Sequence, residues 1–517
     1  MLAALVLRGA FLTKHSLWLD EAILGDQVGG TWWKALTGEA THPPLYRLFV
    51  HAVVAVFGSS DLALRSLSVV FGVAAVPAVD VLAGRLMSNV RARNIATALF
   101  VFSPYAIYLS QEARSYSLML LLSVTSTTAF LDLMSSKGVD EPKRLILYGL
   151  QCVLLLHTHY FGAWILLCHE VVFWMSGERP RTGWVFMRAS VFVLMLPWLA
   201  LAINVHTCGS PAWIPPVAAM IPVSFFRYVM GYGVVAPHAG FSTDPIWVSI
   251  WRESLATVTT SAVTMFLCLR GARRWAGQPT EKRLLFLVLT MPIAFLLALS
   301  PWVNLLHERN LCFQSPFLLM LAASGLASMS RFPRYVANAA LSGVFAFSLI
   351  AYFGAPIRIL GYEARFAKED WRGAAADIRK ARVDIVYVAP RYAARAISHY
   401  LASDDGPRVV GIDTAPPLFD SVLAETSRVA LVLSRERLTD SAILAAFHEG
   451  YARRSETTYP QMTPIRVFLL ERTKMSTRPT TSAGTRAALR DRSPTPSSRS
   501  SLPESTRLDA PQSPLQL

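Results

Sequence analysis

Two adjacent carboxylates, Asp20 and Glu21, sit in the stretch "SLWLDEAILGD", directly after the apolar run "MLAALVLRGAFL". An acidic pair beside a bilayer is costly, and such residues usually carry function. A negative neighbour also raises the pKa of one carboxyl, which suits it to accept a proton. The chemistry this points to is general-base work at a membrane surface. The plainer alternative is a helix N-cap or a solvated interfacial pair.

Four more clusters combine similar residue types. "THPPLYRLF" places His42 before two prolines that fix the backbone, and "YLSQEARSY" sets Glu112 and Arg114 beside Tyr108 and Tyr116. "LHTHYFG" supplies His157, His159 and Tyr160, and "NLLHERNL" supplies His307, Glu308 and Arg309. Arginine binds phosphate through charge-assisted hydrogen bonds, and a carboxylate can take a proton from an incoming hydroxyl. Together they suit a phosphate-bearing lipid substrate. The plainer alternatives are an outer-loop ion pair or headgroup contact for Glu112 and Arg114, and a snorkelling anchor for Arg309. Arg65 is open between a phosphate ligand and a helix-end anchor, and His42 between a site role and a structural one. His157 and His159, two residues apart on a helix, point in different directions, so no metal site is expected from them. No cofactor is firmly implied, and divalent-metal dependence stays open.

These residues need elements to position them. The chain has 517 residues, 53% hydrophobic and 16% charged, with a mean hydropathy of +0.39. Soluble domains carry about 25% charged residues. Apolar runs of roughly membrane-spanning length recur at about 61–87, 95–110, 116–134, 145–157, 161–175, 189–205, 250–270, 284–300, 311–329 and 335–352. With the N-terminal run they predict a polytopic α-helical membrane protein of about eleven transmembrane helices. The first run is too short to span and lacks the marks of a cleaved signal peptide, so the expectation is a start lying upstream of Met1. The net charge of +15 does not indicate nucleic acid, because the cations are scattered over inter-helix loops. The five cysteines show no paired spacing and indicate neither disulfides nor zinc.

Sixteen Lys and Arg fall in one alternating set of loops, near 85–93, 137–144, 179–188, 270–283 and 331–334. The opposite set holds six: Lys14, Lys34, Arg47, Arg114, Arg227 and Arg309. The positive-inside rule makes the first set cytoplasmic and puts the candidate site on the extracytoplasmic face of the plasma membrane. A first outer loop at 14–60 carries amphipathic helical patterns with Trp32 and Trp33 at headgroup depth. A second, about 206–247, is rich in Pro, Gly and aromatics.

Three regions follow: 1–352 as the transmembrane domain, 353–472 as a small extracytoplasmic α/β domain, and 473–517 as a tail. In the second, strand-like "DIVYVAP", "RVVGID", "RVALVLS" and "IRVFLL" alternate with helical "EDWRGAAADIRKAR" and "LTDSAILAAFHEG". The tail has no Val, Ile, Phe, Trp or Tyr, and is expected to be disordered.

The ordered set "SLWLDEA…HPPLYRL", "FGSSDLALRSLSVVFG", "SPYAIYLSQEARSYSLMLLL", "THYF", "ERNLCFQSPFLLML" and "DWRGAAADI" resembles GT-C-type membrane glycosyltransferases, over about 16–390. The resemblance is to dolichyl-phosphate-mannose protein mannosyltransferase-like enzymes, glycosyltransferase family 39 and its bacterial relatives. It departs at Arg47, where relatives usually have an aromatic, and at Asn310, where Tyr is common. The resemblance implies inverting transfer of a monosaccharide, mannose or a similar hexose, from a polyprenyl-phosphate donor to an acceptor hydroxyl on lipid, glycan or protein. Asp20, Glu21 and Glu112 are then the catalytic candidates, with Asp20 favoured as base. Arg114, Tyr116, Arg309 and His42 are the donor-binding candidates, with His159 and Tyr160 supporting. The competing class is a transporter or lipid flippase, which would be expected to show internal repeats and midplane charges. No repeat is visible, and the carboxylates gather at one boundary.

Overall fold

A computed structural model describes residues 1–472 apart from 39–41, 136–140, 178–181, 206–216, 233–245, 276–277, 303–304, 355–356, 360–361, 365–367, 403–405, 415–426, 435–439 and 460–463. Most of the second expected outer loop and the whole tail lie outside the described residues.

The chain opens with α1 (Leu2–Gly9) and three helices of the first loop: α2 (Leu19–Val28), α3 (Trp32–Thr37) and α4 (Leu45–Phe57). The bundle continues through α5 (Asp61–Leu86), α6 (Val90–Phe102), α7 (Pro104–Ser110), α8 (Tyr116–Ser135), α9 (Glu141–Thr158), α10 (Ala163–Met175) and α11 (Thr182–Val205). It closes with α12 (Val217–Met230), α13 (Ile246–Arg273), α14 (Pro279–Leu299), α15 (Gln314–Ala327) and α16 (Arg331–Phe353). Five of the described helices are long and apolar enough to cross a membrane: α5, α8, the Thr182–Leu201 stretch of α11, α14 and α16. Four shorter apolar helices accompany them. The expected count of eleven therefore does not emerge from helix length and composition. The apolar run at 95–110 shows one reason. It breaks at Ser103, whose Oγ accepts the Ala106 amide at 3.2 Å, and Pro104 starts a new helix at its first position.

α5 shows how sequence sets such an element. Ser60 caps it through the Ala63 amide, Asp61 lies in its first turn and Arg85 in its last, each matching the helix dipole. Its 26 residues span about 39 Å, and Pro77 is accommodated inside it. α13 and α15 approach unusually closely at Gly271 and Gly325. A Cβ on Gly271 would lie 2.0 Å from the Leu321 carbonyl oxygen, and one on Gly325 2.2 Å from that of Leu267. Small residues are what permit such backbone contact between membrane helices.

After α16 come a two-stranded pair, β1 (Ile357–Ile359) and β2 (Tyr362–Ala364), then α17 (Trp371–Ala381), β3 (Ile385–Ala389), α18 (Ala394–Leu401) and β4 (Arg408–Gly411). β5 (Arg428–Ser434), α19 (Asp440–Gly450), β6 (Tyr451–Tyr459) and β7 (Ile465–Arg472) complete the described chain. The five-stranded sheet has the order β4-β3-β5-β7-β6, with β4, β3 and β5 parallel and β7 and β6 antiparallel to their neighbours. Period-two alternation divides its apolar residues. Val386, Val388, Ala430 and Val432 face α17 and α18 in a core continuous with the bundle, while Tyr387, Val429 and Leu431 share a second core with Phe447 of α19. β6, "YARRSETTY", was not expected as a strand. Nearly all of it is exposed, and only pairing with β7 makes it one.

Candidate active site

Glu21 is the centre of a buried ionic framework. Trp18 occupies the N-cap position of α2, and the Glu21 carboxylate accepts the Trp18 amide at 3.3 Å. Arg65, one turn into α5, grips it bidentately, Nε to Oε1 at 2.8 Å and Nη2 to Oε2 at 2.6 Å. The same guanidinium donates to the carbonyls of Leu12 (2.7 Å), His15 (2.9 Å) and Ser16 (3.0 Å), which fixes the chain's path into the first loop. Oε1 also accepts the Ala113 amide at 2.8 Å, and Lys368 lies 2.9 Å from Oε2. Burial alone would push the Glu21 carboxyl up, but Arg65 and Lys368 hold it well below the usual range. Arg65, left open between two roles by sequence, is committed to this framework.

Glu112 is likewise wholly buried, with Oε1 2.6 Å from Lys368 and no hydrogen-bond partner for Oε2 among the described residues. Burial raises its carboxyl above the usual range against the pull of Lys368. Lys368, just ahead of α17, carried no signal in the sequence that set it apart from other lysines.

Asp20 differs from both. Its side chain is 34% exposed and stands 4.0 Å from Arg114 Nη2. Arg114 also meets His42 Nε2 at 3.4 Å. The His42 and His159 rings lie edge to face with centroids 5.0 Å apart, and Tyr116 lies 5.8 Å from His159. Residues from four separated segments thus meet in one cluster. His42 owes its place partly to Arg47, which donates to the carbonyls of Ala35 (2.9 Å), Leu36 (3.1 Å) and His42 itself (3.0 Å). Arg47 is thus a loop clamp. Burial, with His42 and the Arg114 charge, pushes His159 well below its usual value, so it is neutral. A small cavity beside Arg114 is lined by Leu24, His42, Pro43, Tyr46, Arg47, Ala113, Arg114 and Ser115.

Arg309 reaches the same end of the bundle. Its guanidinium lies 4.8 Å over the Trp18 ring, two residues from Asp20, and its Nε has no hydrogen-bond partner among the described residues. Neighbouring Glu308 is held by Tyr232 at Oε1, while its carbonyl accepts the Tyr105 hydroxyl at 2.9 Å. Tyr160 follows His159 directly, but its hydroxyl donates to the Trp198 carbonyl at 3.0 Å, tying it to α11. Among the described residues no three His, Cys, Asp or Glu side chains gather as a metal site.

No family model matches the chain, and no curated protein does. Solved structures do. The chain superposes on the archaeal oligosaccharyltransferase AglB from Archaeoglobus fulgidus, in complex with an inhibitory peptide and a dolichol-phosphate. The TM-score is 0.52 at 13% identity, covering 92% of this chain and 73% of that one. The fold is of the GT-C type. Other GT-C structures score lower: ArnT from Cupriavidus metallidurans bound to undecaprenyl phosphate gives 0.42 at 12% identity, covering 90% and 96% of the two chains. The mycobacterial arabinofuranosyltransferase AftD gives 0.48 at 15%, covering 91% and 39%. The chain spans 63% of the length of a further Archaeoglobus fulgidus oligosaccharyltransferase structure. In this GT-C fold the clustered polar residues lie at helix ends, and Lys368, just ahead of α17, contacts Glu21 and Glu112 beside them.

Proposed function

We propose that this chain is a membrane glycosyltransferase that moves a monosaccharide, a hexose such as mannose, from a polyprenyl-phosphate donor to an acceptor hydroxyl. The observation that carries this reading is the pairing of a partly exposed carboxylate, Asp20, with Arg114 at 4.0 Å on a framework of otherwise buried charges. The GT-C fold, and a neighbour solved with a dolichol-phosphate, support it.

In the proposed reaction Asp20 accepts the acceptor's hydroxyl proton while the acceptor oxygen attacks the anomeric carbon. The bond from that carbon to the phosphate oxygen breaks on the opposite face, its electron pair leaves with the phosphate, and the configuration inverts. Arg114 and Arg309 neutralise the departing polyprenyl phosphate. Neutral His159, with Tyr116 and His42, orients Arg114 rather than adding charge. Glu21 and Glu112, being buried and engaged, are assigned to the framework and not to proton transfer.

The basic-loop asymmetry supports an extracytoplasmic site in the plasma membrane, where the acceptor arrives from water and the prenyl chain stays in lipid. The test is transfer from labelled polyprenyl-phosphate mannose in membranes holding the wild type or Asp20→Asn. Transfer by wild type alone supports the assignment, and equal transfer by both overturns it.

A further inference from the structure

The strap "KEDWR", 368–372, leads into α17, and every residue of it makes a defined contact. The Glu369 carbonyl accepts the Ser16 hydroxyl, and its carboxylate accepts the Leu19 amide at 3.3 Å and the Trp371 indole at 2.7 Å. Asp370 caps α17 through the Gly373 amide at 2.9 Å, and Trp371 is fully buried. Arg372 reaches Asp61 at 2.5 Å and the Thr13 carbonyl at 3.1 Å. Asp61 also accepts the Tyr400 hydroxyl of α18 at 2.9 Å, and that hydroxyl accepts the Leu17 amide at 2.6 Å. The C-terminal domain is therefore anchored on both sides of residues 13–19, immediately before Asp20.

From this anchored strap Lys368 projects into the framework and bridges two carboxylates, Glu21 at 2.9 Å and Glu112 at 2.6 Å. Glu21 neighbours Asp20, and Glu112 lies two residues before Arg114. We propose that Lys368 is a positioning residue: delivered by the C-terminal domain, it clamps the two loops that set Asp20 against Arg114. Its charge is essential to this. Two buried carboxylates need two cations, and Arg65 supplies only one, so without Lys368 the loops carry an uncompensated buried charge and move apart. The inference rests on the transferase reading for what the clamp serves, while the clamp itself can be tested without transfer.

The experiment is a charge cycle on the full-length protein in detergent, read by thermal unfolding and by binding of undecaprenyl phosphate. Lys368→Met is expected to lower Tm and to weaken undecaprenyl phosphate binding about tenfold, within the coupling expected of contacting charges. Adding Glu112→Gln to Lys368→Met removes the surplus charge and should recover most of both, and Lys368→Arg should stay near wild type. A lysine that mattered only as packing would show no recovery with Glu112→Gln, and that result overturns the clamp. Should Lys368→Met fail to fold, the double variant decides: folded, it supports the clamp, and equally unfolded, it overturns it. If the thermal cycle is coupled but wild type neither binds undecaprenyl phosphate nor transfers sugar, the clamp stands and the transferase reading falls.

Discussion

Asp20 and Arg114 stand 4.0 Å apart although they are 94 positions apart in the chain, and one hydrogen bond explains much of that: Glu21 Oε1, beside Asp20, accepts the Ala113 amide, beside Arg114, at 2.8 Å. The proposed base and the proposed phosphate ligand are each one residue from the same buried contact. Their spacing is thus set by the framework rather than by their own weak, partly exposed attraction.

Asp20→Asn keeps the size of the side chain and removes the proton acceptor. Transfer from a polyprenyl-phosphate hexose is expected to fall by about 10²–10⁴-fold, with undecaprenyl phosphate binding retained. Single-turnover transfer on purified protein measures this. A folded Asp20→Asn enzyme with wild-type turnover removes Asp20 from the chemistry.

Arg114→Ala should behave differently, because it deletes a cation that the phosphate meets in both ground and transition states. Charge-assisted hydrogen bonds contribute about 1.5–3 kcal/mol, so undecaprenyl phosphate affinity should drop roughly 10–150-fold. Arg309→Ala should cause a smaller drop in the same titration. Unchanged affinity in both variants means that the phosphate sits elsewhere.

Much of this cluster was legible because charge and histidine at helix exits are expensive there. That rule marked the clusters holding Asp20, Glu112, Arg114, His159 and Arg309, and the family resemblance singled out Asp20 and His159 within theirs. The rule itself could not separate Asp20 from Glu21, since adjacent carboxylates look alike until Arg65 and the Ala113 amide fill the oxygens of one of them. Lys368 was invisible for a different reason: its partner Glu21 is 347 residues away, and nothing local distinguishes the lysine. The helix break at Ser103–Pro104 and the strand β6 were missed because apolar periodicity reports neither caps nor edge pairing.

The Glu21–Arg65 pair predicts a pH signature. Breaking a buried pair typically costs about 3–5 kcal/mol, so Glu21→Gln should unfold at a clearly lower Tm at pH 7. The Glu21 carboxyl is held below its unfolded value, so its contribution is complete above about pH 5 and is lost as pH falls through the unfolded range near ~4.3 and below. The Tm gap between wild type and Glu21→Gln should therefore narrow as pH drops from 6 to 3. A gap that widens on acidification contradicts the pairing.

Sidedness has its own test. Ser59, exposed between α4 and α5, belongs to the loop set poor in basic residues, whereas Arg91 belongs to the set rich in them. In intact cells a membrane-impermeant maleimide should label Ser59→Cys and leave Arg91→Cys unlabelled until permeabilisation. The reverse pattern inverts the topology and moves the proposed site to the cytoplasm.

The crossing of α13 and α15 yields the last prediction. An alanine at Gly271 or Gly325 would push its Cβ into a backbone carbonyl oxygen, at 2.0 or 2.2 Å, where no flexible side chain can yield. The helices must separate, and overpacking of this kind costs about 1–3 kcal/mol. α15 starts at Gln314, five residues after Arg309, so a displaced α15 also shifts the segment that presents this guanidinium against Trp18. Gly325→Ala should lower Tm in detergent and weaken undecaprenyl phosphate binding, while Gly343→Ala, with nothing within 4 Å of its Cβ, should change neither. Equal behaviour of the two variants in the same melting and binding series would show that α13 and α15 do not meet as closely as their glycines permit.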